Sequence, residues 1–324
     1  MWRSSILFVL ILLSTVLQAQ NALRVVELNG ENLFYPEHKE GKNDLNYTPD
    51  GMLRWGFKRF HDKLENVACT LLAVGEAFPP DLVGLCEVED DSVMVHLTRR
   101  TRLREVGYRY VMTTRSPDAR GINVALMYQP LSFRLLEHRE ITVEPLKVLH
   151  PTRNVLHAWG KVINGDTLDV VVAHMPSKLG GEVSEQYRCM VAQVIVGIAD
   201  SLRTVRSHFN FLVMGDMNED SSATALQYLV QTGGLTEPTL HARSGSAGTY
   251  KYHGEWSQID HIFYALTGSM APVADSYTVE DYPFLLEPDK KFGGMKPYRT
   301  FNGRKYRKAY SDHLPLRLDL KILP

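Results

Sequence analysis

Cysteine is scarce in this chain: Cys69, Cys86 and Cys189 are the only three among 324 residues. An odd number at irregular spacing excludes a disulfide framework of the kind that holds small secreted domains together, although a single bridge stays open. Net charge is nearly absent too. The formal value is -1 at pH 7, so overall charge points to no particular partner. After the first twenty residues no apolar run is long enough to cross a bilayer. Internal repeats, low-complexity blocks and obvious linkers are also missing.

What is present begins with residues 1–20, MWRSSILFVLILLSTVLQAQ. An Arg near the start, an apolar core over Ile6–Leu12 and small or polar residues around Ala19 have the layout of a secretory signal peptide. Cleavage is expected after Ala19 or Gln20. The competing reading is an uncleaved anchor. No Cys follows closely enough for lipid attachment. The expected mature protein is residues 21–324, a single domain, secreted or periplasmic, monomeric and without stable membrane insertion.

A hydrophobic content of 44% suffices for a large core. Strand-like runs rich in Val, Leu, Ile, Phe and Tyr fall at 23–29, 82–88, 122–128, 168–175, 209–217, 258–265 and 314–320. Several are apolar nearly throughout, as in strands buried on both faces. Cys86 lies inside one and reads as a buried thiol. Helical periodicity covers 53–74 and 182–206, with Ser184 as a candidate cap of the second. Many strands with few helices predict an α/β fold of two sheets packed face to face, with helices outside.

The residues capable of chemistry cluster where apolar runs end. Asn29 and Glu31 follow LRVVEL, and His174 ends LDVVVAH, ahead of Met175, Pro176, Ser177 and Lys178. Asp216 and Asn218 end FLVMG, Asp260 lies in QIDHI, and Asp312 and His313 precede LPLRL. Taken singly, an Asp or Asn at a strand end is a turn former. Glu87 and Asp260 resist that reading, because a carboxylate inside an apolar strand is costly unless paired or metal-bound. Carboxylates and amides without a Cys or His triplet suit a hard cation, Mg²⁺ before Zn²⁺. Such a cation polarises phosphoryl oxygens, and two His with an Asp can handle protons, which together fit phosphate-ester hydrolysis.

The segments LNGENLF, GLCEVED, AHMPSKLGG, MGDMNED, IDHI and YSDHLPL occur in this order over residues 23–320. In this the chain resembles the endonuclease/exonuclease/phosphatase superfamily, the deoxyribonuclease I-like phosphoesterases. SPDARGINVALMY is similar to the bacterial branch. The resemblance implies a four-layer α/β sandwich, two mixed sheets flanked by helices, with a divalent-metal site at one rim. Mg²⁺ is the implied ion, with Mn²⁺ or Ca²⁺ as alternatives. It implies that Glu87 is the main metal-binding residue, with Asn29, Glu31 and Asp312 in support. Asp216 would activate water and Asn218 would bind phosphate. His313 would bind phosphate or move a proton, oriented by Asp260, and His174 would touch the scissile phosphate. Ser177 and Lys178 would reach a neighbouring phosphate. Gly30, where a β-branched residue is common, and Leu179, where an Arg or Tyr is common, depart from the pattern and bear on substrate contacts.

Residues 290–310 carry Lys290, Lys291, Lys296, Arg299, Arg304, Lys305, Arg307 and Lys308, interleaved with Tyr298, Phe301, Tyr306 and Tyr310. Asn302-Gly303 signals a hairpin turn. One reading is a solvated hairpin that delivers His313. The other is a rim that holds a nucleic acid or a similar phosphodiester, with Arg304 and Lys305 among the contacts. No apolar, aromatic loop of the kind expected for a lipid phosphodiesterase is evident. The expected function is a nuclease-like metal-dependent phosphodiesterase; the alternatives are a phosphatase or sphingomyelinase-like enzyme, and a non-catalytic binding protein.

Overall fold

Alternate residues of each strand go to different cores. In β1 (Ala22–Leu33), Leu23 and Val25 join the core between two sheets, while Val26 and Leu28 face a helical layer. β2 (Leu82–Val88), β3 (Arg109–Val111), β4 (Asn123–Tyr128), β5 (Phe133–Ile141), β6 (Val155–Val162), β7 (Thr167–His174) and β8 (Asn210–Asp216) follow along the chain. In β8, Leu212 and Met214 face the inter-sheet core, and Phe211 and Val213 the opposite side. This period of two explains near-continuous apolar runs, because both faces of each sheet are covered. The computed structural model describes residues 22–111, 113–144 and 151–323; the expected signal peptide lies outside them.

Among the described residues, one sheet runs β3-β4-β2-β1 and continues through the strands Leu316–Ile322, Thr278–Val279 and His241–Ala242. The other runs from the strand Asp260–Leu266 through β8, β7 and β6 to β5. Both are mixed: β1 and β2 are parallel, as are β7 and β8, and the pairs β2–β4 and β6–β7 are antiparallel.

Helices complete the outer layers. α1 (Phe57–Gly75) buries Phe60, Leu64, Val67, Ala68, Leu71 and Val74 against the first sheet, together with Val93, Met94 and Leu97 of α2 (Asp91–Arg100). α3 (Gly181–Val205) and α4 (Thr224–Gln231) cover the second sheet through Ile195, Ala199, Leu226 and Leu229. This is the expected four-layer α/β sandwich. Among the described residues no helix is long and apolar enough to cross a membrane.

Two local expectations need correction. α1 starts at Phe57 rather than residue 53, because Arg54 takes a positive φ of 47° in a turn closed by Trp55 N–H to the Thr48 carbonyl. Ser184 does not cap α3, which begins three residues earlier behind Gly180. The three cysteines are free, and Cys86 is buried as expected.

Candidate active site

The inter-sheet row of the second sheet ends in polar groups. His174 pairs in register with Asp216, and Asp216 with Asp260, so three adjacent strands deliver three side chains side by side. Gly215 makes this approach possible. Its φ is +145°, and a Cβ there would lie 1.8 Å from the Ala173 carbonyl oxygen. Met217 turns to the opposite face and is fully buried.

The first sheet faces this row. Asn29 Nδ2 donates to Asp216 Oδ2 at 2.9 Å, and Asn29 Oδ1 accepts from Glu31 N–H at 2.9 Å. His313 Nδ1 lies 2.8 Å from Asp260 Oδ2, and its Nε2 lies 4.0 Å from both Asp216 Oδ2 and Asp312 Oδ1. Ser311 explains the first letter of SDH: its hydroxyl donates to the Asn29 carbonyl at 2.7 Å and accepts from His313 N–H at 3.1 Å. Asp216, Asp260 and His313 offer ligand atoms within 4.8 Å of one another.

Burial sets their charges. It raises Asp216 to about 7, with the Asp260 charge adding to the rise. Burial pulls His313 down, but Asp260, by charge and hydrogen bond, with Asp216 and Asp312, outweighs it and holds the imidazole well above its usual range. His174 is driven well below that range by burial, then by Arg153, Arg120 and His313. It sits neutral, with Nε2 3.4 Å from Asp216 Oδ2 and Nδ1 without a partner. The site thus holds a charged His, a neutral His and a carboxyl poised near neutrality.

Backbone irregularity shapes the neighbouring carboxylates. The β2–β4 register slips between Cys86 and Val88, and the β1–β2 register slips between Asn29 and Leu33. Glu31, Asn32, Glu87 and Asn218 all have positive φ, at 51°, 57°, 61° and 53°. Such bulges re-aim side chains, and strained residues of this kind gather at functional sites. The bulge explains why Glu87 interrupts an apolar strand. Its Oε2 accepts from Asn32 N–H at 2.7 Å, and its Oε1 is 3.0 Å from Arg120.

Glu31 is buried. It accepts from Thr300 N–H at 2.7 Å and pairs with Lys63 at 3.3 Å and Arg299 at 3.6 Å. Arg299 also holds Asp312 at 2.8 Å. Burial, with the nearby Asp312 charge, raises Glu31. Among the described residues Asp216, Asp260 and His313 form the one trio with ligand atoms that close, and Glu31, Glu87 and Asp312 form no such group; their oxygens and the Asn29 amide oxygen are nevertheless donors of the type a hard divalent cation takes. Their charges are met here by Arg120, Arg299 and Lys63.

The structure does not bring every expected residue into this row. Asn218 is half-buried, donates to the Met175 carbonyl at 3.0 Å, and gives its own N–H to Asp216 Oδ1 at 2.9 Å. Ser177 and Lys178 are exposed, and Lys178 pairs with Glu219 at 3.1 Å and Asp220 at 3.2 Å. The hairpin forms with a two-residue turn at Gly303-Arg304, one step later than the sequence signal, with Phe301 opposite Tyr306 and Asn302 opposite Lys305. Gly303 at φ 58° supplies the left-handed first position that such turns require. Arg304 and Lys305 are exposed. Arg307 binds Glu287 and Lys308 binds Asp62, while Phe301 and Tyr306 pack against Trp55. Half the hairpin is therefore committed to structure.

Sequence reasoning missed Arg120, Arg153, Lys63 and Glu27. Arg120 stands in the SPDARGINV stretch already noted as family-like. Arg153 is buried, 3.1 Å from Asp118, and donates to the Met175 carbonyl at 3.2 Å. Glu27 could have been found by the logic applied to Glu87, since it too interrupts an apolar strand. It is fully buried and neither carboxyl oxygen has a partner. A hollow of about 630 Å³ lies away from this site beside Arg24 and Asp319, at the other end of β1.

Residues 24–321 match the Endonuclease/Exonuclease/phosphatase family. The chain belongs to that family. Solved structures agree in fold. A mannosyl-6-phosphatase from Bacteroides thetaiotaomicron VPI-5482 is 18% identical, with a TM-score of 0.60 over 92% of this chain and 99% of that one. The human nocturnin catalytic domain with bound sulfate is 14% identical, with a TM-score of 0.55 over 94% and 95%. D. rerio TDP2 complexed with single-strand DNA product is 17% identical, with a TM-score of 0.55 over 93% and 99%. Among curated proteins none matches. The chain is a phosphoesterase-family protein with a buried Asp/Asp/His cluster.

Proposed function

We propose that this protein is a metal-dependent phosphodiesterase of nuclease-like type, which cleaves its ester by in-line attack of water. The row His174–Asp216–Asp260, completed by His313 and Asn29, carries the reading. Asp216 takes the proton from the attacking water, being a carboxyl tuned close to neutral pH. Asn29 fixes the orientation of that carboxyl. The His313 imidazolium, held by Asp260, offers Nε2–H to a phosphoryl oxygen as negative charge grows there. Neutral His174 supports Asp216 from the other side. A Mg²⁺ ion held by Glu87 with Glu31, Asp312 and Asn29, or Mn²⁺ or Ca²⁺ in its place, would polarise the phosphoryl group and steady the leaving oxygen.

Exposed Arg304 and Lys305, on a hairpin whose base touches Glu31 through Thr300, support a polyanionic substrate. A relative of this fold was solved with a single-strand DNA product. A second reading, a phosphatase acting on small monoesters, is favoured by Arg120 and Arg153. Two guanidinium groups beside Glu87 and His174 suit the extra charge of a terminal phosphate. Secretion or periplasmic residence, a single domain and a monomeric state are part of the proposal and rest on the sequence. The test is a hydrolysis panel of DNA, RNA, bis-nitrophenyl phosphate, nitrophenyl phosphate and sphingomyelin, with and without Mg²⁺. Turnover of DNA and the diester is expected. Turnover confined to the monoester favours the phosphatase, and none with any substrate favours a binding protein.

A further inference from the structure

Beside Glu31 lies a pocket of about 270 Å³ whose other lining residues the mechanism does not use. Glu31, Asn32, Arg299 and Thr300 form its polar end; Tyr47, Leu53, Trp55, Phe301 and Gly303 form the rest. Its walls are built rather than incidental. Tyr47 stacks on Phe34 at 4.3 Å and meets Trp55 edge-on at 6.1 Å. Trp55 is fixed by Nε1–H to the Phe34 carbonyl at 2.8 Å, and Phe301 leans on it at 5.9 Å. Tyr47 and Glu31 line the same pocket, and the Tyr47 hydroxyl feels the charges of Glu87, Arg120, Glu31 and Asp312. Burial, with those carboxylates, keeps it protonated and therefore a donor.

The contents of such a pocket follow from its walls. Aromatic faces at one end and convergent polar groups at the other suit an amphipathic ring. The volume is below the roughly 300–1,000 Å³ of pockets for drug-sized molecules, so it takes one or two rings and not a polymer. Only the alcohol portion of an ester can enter while its phosphate stays beside Glu31.

We propose that this pocket is the subsite for a ring-bearing alcohol, a monosaccharide or nucleoside moiety, of the phosphoester that the protein cleaves. The proposal rests on the phosphoesterase reading in either of its forms. Tyr47 donates to a ring hydroxyl or ester oxygen, Phe301 packs on the ring, and Leu53 closes the side.

The test compares esters that differ in the ring. The monoester set is glucose 6-phosphate, thymidine 5′-monophosphate and glycerol 2-phosphate. The diester pair is thymidine 5′-(4-nitrophenyl) phosphate and ethyl 4-nitrophenyl phosphate. A KM about tenfold or more lower for a ring-bearing ester than for its ringless counterpart is expected, in the range that filling a pocket produces. The sugar and thymidine arms tell the two sources apart. Leu53→Trp, which fills the pocket, should erase most of that advantage, and Leu53→Met should keep it. Tyr47→Phe should cost the ring-bearing ester roughly three- to tenfold in kcat/KM, the worth of one hydrogen bond. Equal KM for ring-bearing and ringless esters, or an equal response of both to Leu53→Trp, overturns the subsite while leaving hydrolysis intact. If no ester is turned over, the phosphoesterase reading fails. Calorimetric titration with thymidine 5′-monophosphate and glucose 6-phosphate then decides the subsite alone: binding lost in Leu53→Trp supports it, and no binding to the wild type overturns it.

Discussion

Asp260→Asn isolates the charge of one buried carboxylate while keeping its shape. Asp260 is fully buried, its Oδ2 lies 2.8 Å from His313 Nδ1, and its Oδ1 has no partner. The substitution leaves an amide oxygen able to accept from Nδ1–H and removes the ionic part of the bond. A hydrogen bond to a charged group contributes about 1.5–3 kcal/mol. If that contribution reaches the transition state, kcat/KM falls roughly 10- to 150-fold. The pH profile should move as well. His313 is held above its usual range by Asp260 against burial, so without that charge it loses its proton at lower pH and the alkaline limb shifts down. Asp216 is raised to about 7 by burial and then by Asp260, so its acidic limb also shifts down. The assay is kcat/KM against pH on bis-nitrophenyl phosphate for the wild type, Asp260→Asn, His313→Ala and the double variant. If the two residues act as a unit, the double variant loses little more than His313→Ala alone. Fully multiplicative losses, or limbs that stay in place, would refute a coupled pair.

Three other outcomes follow from the same geometry. Excess chelator is expected to abolish activity, and Glu87→Gln to weaken metal binding about 10- to 100-fold or more; full activity in chelator sinks the metal reading. Arg304→Ala with Lys305→Ala should raise KM for DNA and flatten the logarithmic salt dependence by about 0.7–0.9 per lost phosphate contact, whereas Arg307→Ala should lower Tm, because Arg307 is bound to Glu287. Equal losses on DNA and on a small diester would assign the whole hairpin to structure. Glu27 is raised well above the carboxylate range by burial, then by Asp260 and Asp216, so its stabilising share exists below its unfolded pKa of about 4.3 and is lost as pH rises through the folded value. Glu27→Leu should therefore raise Tm at pH 8, by about 1.5–5 °C for a relief of about 1–3 kcal/mol, and by less at pH 4; a lower Tm at pH 8 would show that Glu27 has a partner or a role.

The strands were legible because burial on both faces writes apolar runs into the chain, and β2 has the bounds that its LVGLCEV run suggests. Legible too was the row of the site, since Asp216 ends one apolar run and His174 and Asp260 lie at the ends of others. A buried carboxylate in an apolar strand stood out at Glu87 for the same reason: its cost in a low-dielectric core is a local property of the sequence. What the sequence could not contain was distance across the sandwich. Asn29 meets Asp216 only because two sheets face each other, and Arg299 meets Glu31 and Asp312 only because the 290–310 segment folds back over α1. The bulges at Gly30–Asn32 and Glu87, which turn these carboxylates to the rim, arise from register between strands far apart in the chain. The charges on Asp216, His174 and His313 likewise belong to no single segment. They follow from burial and from each other's fields, which exist only once the sheets have closed.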